Sequence, residues 1–236
     1  MNTGSALKLC YTVPLWNRLS RVAVCYGGPR HLSAIAKNHG EKRPSMQEPH
    51  PDIERICYSE DQLRDRVTEM GRQITEDYAG KQLVVISVLR GAAIFMADLV
   101  RAIDLPIEMD YMAISSYGSG AVSSGIVRVL KDITSDIEGK HVLIAEDIVD
   151  SGLTLNYTIK SLASHHPADI EVAALLYKDR KDAPRIDCKY VGFEVPDEFI
   201  VGYGLDYAER YRNLPYIGIL KHEVYDLGNS HGIARD

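Results

Sequence analysis

From residue 51 onward, apolar positions recur at regular intervals. In SEDQLRDRVTEMGRQITEDYAG (59–80), Leu63, Val67, Met70, Ile74 and Tyr78 fall three or four residues apart, which is one face of an amphipathic helix. Ser59 and Gln62 stand in capping-box spacing at its start, and Gly80 ends it. The period then changes. LVVISVL (83–89) is a short apolar run rich in β-branched residues, which predicts a strand buried on both faces. AAIFMADLVRAI (92–103) predicts a helix, IEMDYMAIS (107–115) a strand, and HVLIAE (141–146) a further buried strand. LTLNYTIKSLASH (153–165) follows as a helix and IEVAALLY (170–177) as a strand. This alternation predicts an α/β fold, a central mostly parallel sheet with helices on both faces. In such sheets ligands sit beyond the carboxyl ends of the strands, where loops meet helix N-termini.

Residues 1–50 carry no such period. YGGPRH and GEKRPSMQEPHP read as loop, which predicts an irregular, disordered N-terminal extension (1–50) ahead of one domain (51–236). Charge divides at the same place. Residues 1–45 hold seven Lys and Arg against one acid, Glu41, while the remainder carries a net −12. The basic extension is weakly reminiscent of an organellar transit peptide. The simpler reading is an upstream start codon, with the working protein beginning near Met46. The acidic body argues against a nucleic-acid partner but leaves room for an anionic small molecule held by local donors or a metal. Four cysteines without CxxC spacing read as free thiols of a reducing, cytoplasmic compartment. No run of 18 apolar residues exists, so no membrane partner is expected.

One stretch raises a chemical question. In VLIAEDIVDSGLTL (142–155) a buried strand ends on Glu146 and Asp147, with Asp150 three residues on. Like charges this close repel, and the cost rises as water is excluded. A cation or a hydroxyl-rich ligand belongs among them. The turn DSGLT leads into a helix, so its N–H groups and the Ser151 and Thr154 hydroxyls suit a phosphate, with Gly152 permitting close approach. Taken alone, the same turn is equally a helix start capped by Asp150 or Ser151. Capping does not explain the two preceding acids.

VLIAEDIVDSGLT resembles the phosphoribosyl-pyrophosphate signature of the type I phosphoribosyltransferases: hydrophobic strand, two acids, two apolar residues, Asp, small residue, Gly, any residue, Thr. VLRGAAIFMADLVRAIDLPIEMDYMAISSYGSG and KYVGFEVPDEFIVGYGLDYAERYRNLPYIGIL, in that order, are similar to the hypoxanthine (hypoxanthine-guanine) phosphoribosyltransferases. The similarity spans about residues 51–226. It implies the type I phosphoribosyltransferase fold with a small hood, and a purine-salvage transferase joining a 6-oxopurine to the ribose of phosphoribosyl pyrophosphate. It also implies Mg²⁺ and a homodimer or homotetramer.

The resemblance assigns roles residue by residue. Glu146 and Asp147 hold the ribose hydroxyls and stand near the metal, with Asp206 a metal ligand. Asp150 accepts the purine N7 proton. Asp150, Ser151, Gly152, Leu153 and Thr154 wrap the 5′-phosphate. Arg90 and Gly91 form the pyrophosphate loop, where the family often has Lys at the arginine position, and Arg212 adds a contact. Ser116 and Tyr117 belong to a lid. Lys178 donates to the purine O6, Phe199 stacks on the base, and Ile200 meets its edge through main-chain groups.

Without the resemblance, several of these residues have plainer readings. Lys178 is a surface lysine at a strand end, Phe199 a core aromatic. Arg90 and Arg212 are solvated arginines, and SSYGSGAVSSG (115–125) an ordinary hairpin loop. A binding-only regulator of the same fold is the alternative from another class, opposed by the presence of Asp150 and a complete purine segment. A xanthine- or guanine-preferring transferase is the alternative within it. A Rossmann dehydrogenase is set aside, since no G-x-G-x-x-G follows a first strand.

Overall fold

Alternate side chains of the central strands enter different apolar clusters. Leu83 and Val85 join one, and Val84 and Ile86 the other. That two-residue period is what a strand covered on both faces requires. The computed structural model describes residues 48–116, 127–178 and 186–230. Tyr117, the rest of the proposed lid loop up to residue 126, and the extension through residue 47 lie outside the described residues.

The chain order is β1 (Ile53–Tyr58), α1 (Glu60–Asp77), β2 (Leu83–Leu89), α2 (Ala93–Ala102), β3 (Glu108–Ser116), β4 (Val127–Lys131) and β5 (His141–Val149). Then come α3 (Leu153–Ala163), β6 (Asp169–Lys178), β7 (Tyr190–Val195), β8 (Ile200–Val201), β9 (Ile217–Leu220) and α4 (His222–Ser230). Six strands form the main sheet in the order β4-β3-β2-β5-β6-β7. Only the β3–β4 pair is antiparallel. The expected α/β class, with a mostly parallel central sheet and helices on both faces, is the one observed.

Helices α1 and α2 cover one face. The stripe Leu63, Val67, Met70 and Ile74 is buried there with Phe95 and Leu99. The capping box at Ser59 and Gln62 forms as its spacing predicts. Helix α3 covers the other face through Leu155 and Leu162. A second sheet, β1-β9-β8, is antiparallel and closes over a third cluster that includes Ile53, Val201, Tyr211 and Tyr216. It is the small hood. Its strands, with β7 and α4, escaped the periodicity reading because two-to-six-residue strands carry too few alternations to register. Among the described residues no helix is long and apolar enough to cross a membrane.

Strand β5 lies between β2 and β6 and runs three residues further than the expected 141–146. Glu146 opposes Ala174, Ile148 opposes Leu176 and Val149 opposes Tyr177. The two acids are therefore part of the ladder rather than of the turn after it.

Asp110 on β3 anchors the hairpin side of the sheet. It is buried, yet it accepts hydrogen bonds from the N–H groups of Tyr111 (2.7 Å), Thr134 (2.6 Å) and Ser135 (2.8 Å), from the Thr134 hydroxyl and from Lys131 Nζ (3.1 Å). Burial acts to raise its pKa, but these donors outweigh burial and hold the carboxyl far below the usual range. A depressed folded-state pKa contributes stability that is present above the unfolded value of about 3.9 and lost as pH falls toward the folded value. Asp110→Asn is expected to lower stability by about 2–3 kcal/mol at pH 7, the range for hydrogen bonds to a charged group. The gap to wild type should narrow below about pH 4. Urea unfolding at pH 7 and pH 3 measures both; an equal gap at the two pH values contradicts the assignment.

Candidate active site

The carboxyl ends of β5 and β6, the turn after β2 and the segment 199–212 share a cavity of about 410 Å³. Its wall brings together Gly91, Asp147, Asp150, Lys178, Phe199, Ile200, Asp206 and Arg212, all singled out from sequence, and adds Ile148 and Leu205. Arg90, Glu146 and Ser151 to Thr154 are not on that wall. Ser116 ends β3, and its side chain is not described.

The turn after β5 does not use a side chain to start its helix. The N-cap of α3 is Gly152, at φ 71°, with no side-chain cap hydrogen bond. A Cβ here would overlap Ile186 Cδ1, so glycine serves both the left-handed backbone and the close packing. Gly152, rather than Asp150 or Ser151, thus stands at the N-cap position. Helix α3 begins just after the end of β5, and the N-terminus of a helix is a favourable place for an anion.

The acids are held under strain. Burial, and then the charge of Asp147, keeps Glu146 well above the usual carboxylate range. Burial lifts Asp147 to about 6, against hydrogen bonds from the N–H groups of Ile148 and Asp147 and the attraction of Arg212. Asp206 pushes it up further. A cation or hydroxyl donors brought among them would relieve this cost. Among the described residues no three His, Cys, Asp or Glu side chains form a ready-made metal cage. Asp147 and Asp206 do share the cavity wall and offer only oxygen.

Lys178 ends β6 with its side chain only 12% exposed, Nζ lying 3.4 Å from Asp197 Oδ1 and 4.0 Å from Asp150 Oδ2. It is not a surface lysine. Phe199 is not a core aromatic either, since it is 38% exposed and lines the cavity. Tyr225 of α4 stacks on one face of it, with centroids 5.1 Å apart, and Tyr207 meets it edge-on at 5.3 Å. Tyr225 is not on the cavity wall, so it backs the ring from behind. Arg212 pairs with Asp206 (2.7 Å) and donates to the Gly204 carbonyl (2.8 Å). Asp197, Glu209, Tyr225 and Gly204 were not identified from sequence, because each acts through a partner distant in the chain.

Two glycines bring these pieces together. A Cβ on Gly91 would overlap Asp147 Oδ2, and one on Gly204 would overlap the Gly91 carbonyl oxygen. The hood and the turn after β2 thus touch backbone to backbone, and the turn meets the central strand through the Asp147 side chain. The Leu89–Arg90 peptide at this turn is cis.

Known proteins carry the same arrangement of sequence. A family model described as phosphoribosyl transferase domain matches residues 59–208. The hypoxanthine-guanine phosphoribosyltransferase of Bacillus subtilis is 49% identical over 175 residues, covering 74% of this chain and 97% of that protein. The bifunctional protein TilS/HprT of Listeria innocua is 51% identical over 176 residues, or 75% of this chain, but the chain spans only 27% of its length. A crystal structure of a hypoxanthine phosphoribosyltransferase from Staphylococcus aureus superposes with TM-score 0.71 at 46% identity, covering 74% of this chain and 95% of that one.

The backbone contact can be tested against an internal reference. Gly204→Ala is expected to cost about 2–4 kcal/mol, from overpacking together with an unfavourable φ. Gly139 also has positive φ, at 68°, but nothing lies within 4 Å of its Cβ position. Gly139→Ala should cost only about 1 kcal/mol. Thermal melting compares them, with roughly 2–4 °C expected per kcal/mol at this size. Equal shifts would mean that the Gly204–Gly91 approach is not tight.

Proposed function

The chain belongs to the phosphoribosyl transferase family, and from that premise we propose that it is a purine-salvage enzyme, a hypoxanthine-guanine phosphoribosyltransferase. It transfers the 5-phosphoribosyl group from phosphoribosyl pyrophosphate to hypoxanthine and guanine, giving IMP and GMP with pyrophosphate. One observation carries this reading. Asp150 and Lys178, 4.0 Å apart, share a cavity wall with the open face of Phe199. An acid, a cation and an aromatic face together are what a 6-oxopurine needs: a proton acceptor, a donor to O6 and a stacking surface.

In the reaction, N9 of the base forms a bond to the ribose C1′ as the bond from C1′ to pyrophosphate breaks. The N7 proton passes to Asp150. Lys178 donates to O6, held in place by Asp197, which separates oxo-purines from bases lacking that acceptor. Phe199 presents one face to the base while Tyr225 supports the other. Ile200 meets the base edge through its main chain. Glu146 and Asp147 accept from the ribose hydroxyls. The N–H groups of residues 151–154, at the start of α3, surround the 5′-phosphate, and Arg90, Gly91 and Arg212 meet the pyrophosphate. Ser116 and Tyr117 belong to the lid that keeps water from C1′.

Mg²⁺ suits these residues. It takes oxygen ligands and is commonly held by one or two carboxylates together with substrate phosphates. Asp206 and Asp147 on the cavity wall, with Glu146 close by, supply that kind of donor. When bound, the ion offsets the charge of the leaving pyrophosphate. The catalytic domain is residues 51–236, in the cytoplasm, and it works as a homodimer or homotetramer.

Purified protein with phosphoribosyl pyrophosphate, Mg²⁺ and hypoxanthine should release pyrophosphate, and excess chelator should stop it. Binding without product under any divalent metal would instead indicate a regulatory protein.

Asp150→Asn separates proton acceptor from scaffold. The amide keeps the size of the side chain but cannot take the N7 proton, so kcat should fall by about 10²–10⁴. Affinity for phosphoribosyl pyrophosphate should stay within several-fold, because backbone N–H groups dominate its phosphate contacts. A kcat within about threefold of wild type would contradict the assignment.

Lys178→Gln should raise the hypoxanthine KM more than the phosphoribosyl pyrophosphate KM. The loss of a charge-assisted donor is worth about 1.5–3 kcal/mol. Equal changes for the two substrates would remove Lys178 from the base site.

A further inference from the structure

Glu209 links two cations from distant segments of the chain, Arg90 and Arg212. Its Oε1 lies 2.6 Å from Arg90 Nη2, on the turn after β2, and its Oε2 lies 3.2 Å from Arg212 Nη2. Each carboxylate oxygen is thus taken by a different guanidinium, as two oxygens of a bound anion would be. Arg212 Nη2 also pairs with Asp206 Oδ1, while its Nε is buried with no hydrogen-bond partner.

The backbone beneath Glu209 is fixed. Ala208, Glu209 and Tyr211 all sit at positive φ, at 49°, 63° and 75°. Non-glycine residues adopt that region only when surrounding structure enforces it. Here Tyr207 and Arg210 exchange backbone hydrogen bonds across the turn, and the Glu209 N–H donates to Asp206 Oδ2 at 3.0 Å. The carboxylate is the part left free to swing. The side chains of Arg90 and Glu209 are 68% and 59% exposed, so their pair is weak and easily exchanged.

We propose that Glu209 is a displaceable internal anion. It holds Arg90 and Arg212 in position when no pyrophosphate is bound, yields them to the incoming pyrophosphate group, and competes for them again when the product leaves. This rests on the reading of Arg90 and Arg212 as pyrophosphate contacts. Glu209 is then a positioning residue that sets the affinity and residence of pyrophosphate without touching the reacting atoms.

The test uses the full chain, Mg²⁺ and inorganic pyrophosphate, read as product inhibition of the forward reaction and as direct calorimetric binding. Because an exposed ion pair contributes at most about fivefold, E209Q should tighten pyrophosphate roughly two- to fivefold. E209A is the second variant, so that misfolding of one does not carry the result, and melting curves accompany both. R90Q and R212Q should weaken pyrophosphate, and the gain from E209Q should shrink in R90Q/E209Q. If E209Q and E209A fold but bind pyrophosphate as wild type does or more weakly, while R90Q and R212Q weaken it, the competing role of Glu209 is overturned and the pyrophosphate contacts stand. If R90Q and R212Q leave pyrophosphate binding unchanged, the contacts themselves are misassigned, and the proposal for Glu209 falls with them.

Discussion

The fold depends on a close approach of two backbones and one carboxylate at Gly91. On one side the glycine lies against the Asp147 carboxylate of the central strand, and on the other its carbonyl lies against Gly204 of the hood. Neither contact tolerates a Cβ. The hood and the turn after β2 therefore pack without an intervening side chain at this point. Arg212 secures the same junction by donating to the Gly204 carbonyl while pairing with Asp206. Once these contacts form, residues from β5, β6, the turn after β2 and the hood line one space.

That space collects charges the apo protein balances only in part. Asp147, Asp150 and Asp206 share the wall with Lys178 and Arg212. Where a cation lies close, as Arg212 does to Asp206, the pairing is local. Where burial prevails, as at Glu146 and Asp147, the carboxyl groups are pushed toward their protonated forms. Such a cost persists in a folded protein when a ligand relieves it. Hydroxyl donors and a cation have the right chemistry to do so.

The end of the cavity at Lys178 and Phe199 follows a different rule. Lys178 and Phe199 are positioned by partners that do not meet the ligand space. Asp197 steadies the ammonium, and Tyr225 backs the ring. Helix α4 therefore takes part in the site without lining it. Residues of this kind are hard to find from sequence, since nothing in their own neighbourhood marks them.

What the sequence determined by itself was whatever is written within about twenty residues. The amphipathic face of α1, its capping box, the buried runs of β2, β5 and β6, and the acid-rich turn before α3 are local patterns, and local hydrogen bonding and side-chain periodicity dictate them. Motif resemblance then supplied most of the cavity wall. Tertiary structure decided the rest. It carried β5 through Glu146 and Asp147 and so placed the two acids within the strand rather than in the turn after it. It made Gly152 rather than Asp150 the start of α3. It joined Arg90 to Glu209 across 119 residues and Phe199 to the last helix. The physical reason is that each of these outcomes is a contact between segments whose relative placement is set by packing of the whole core, and no short stretch of chain contains that information.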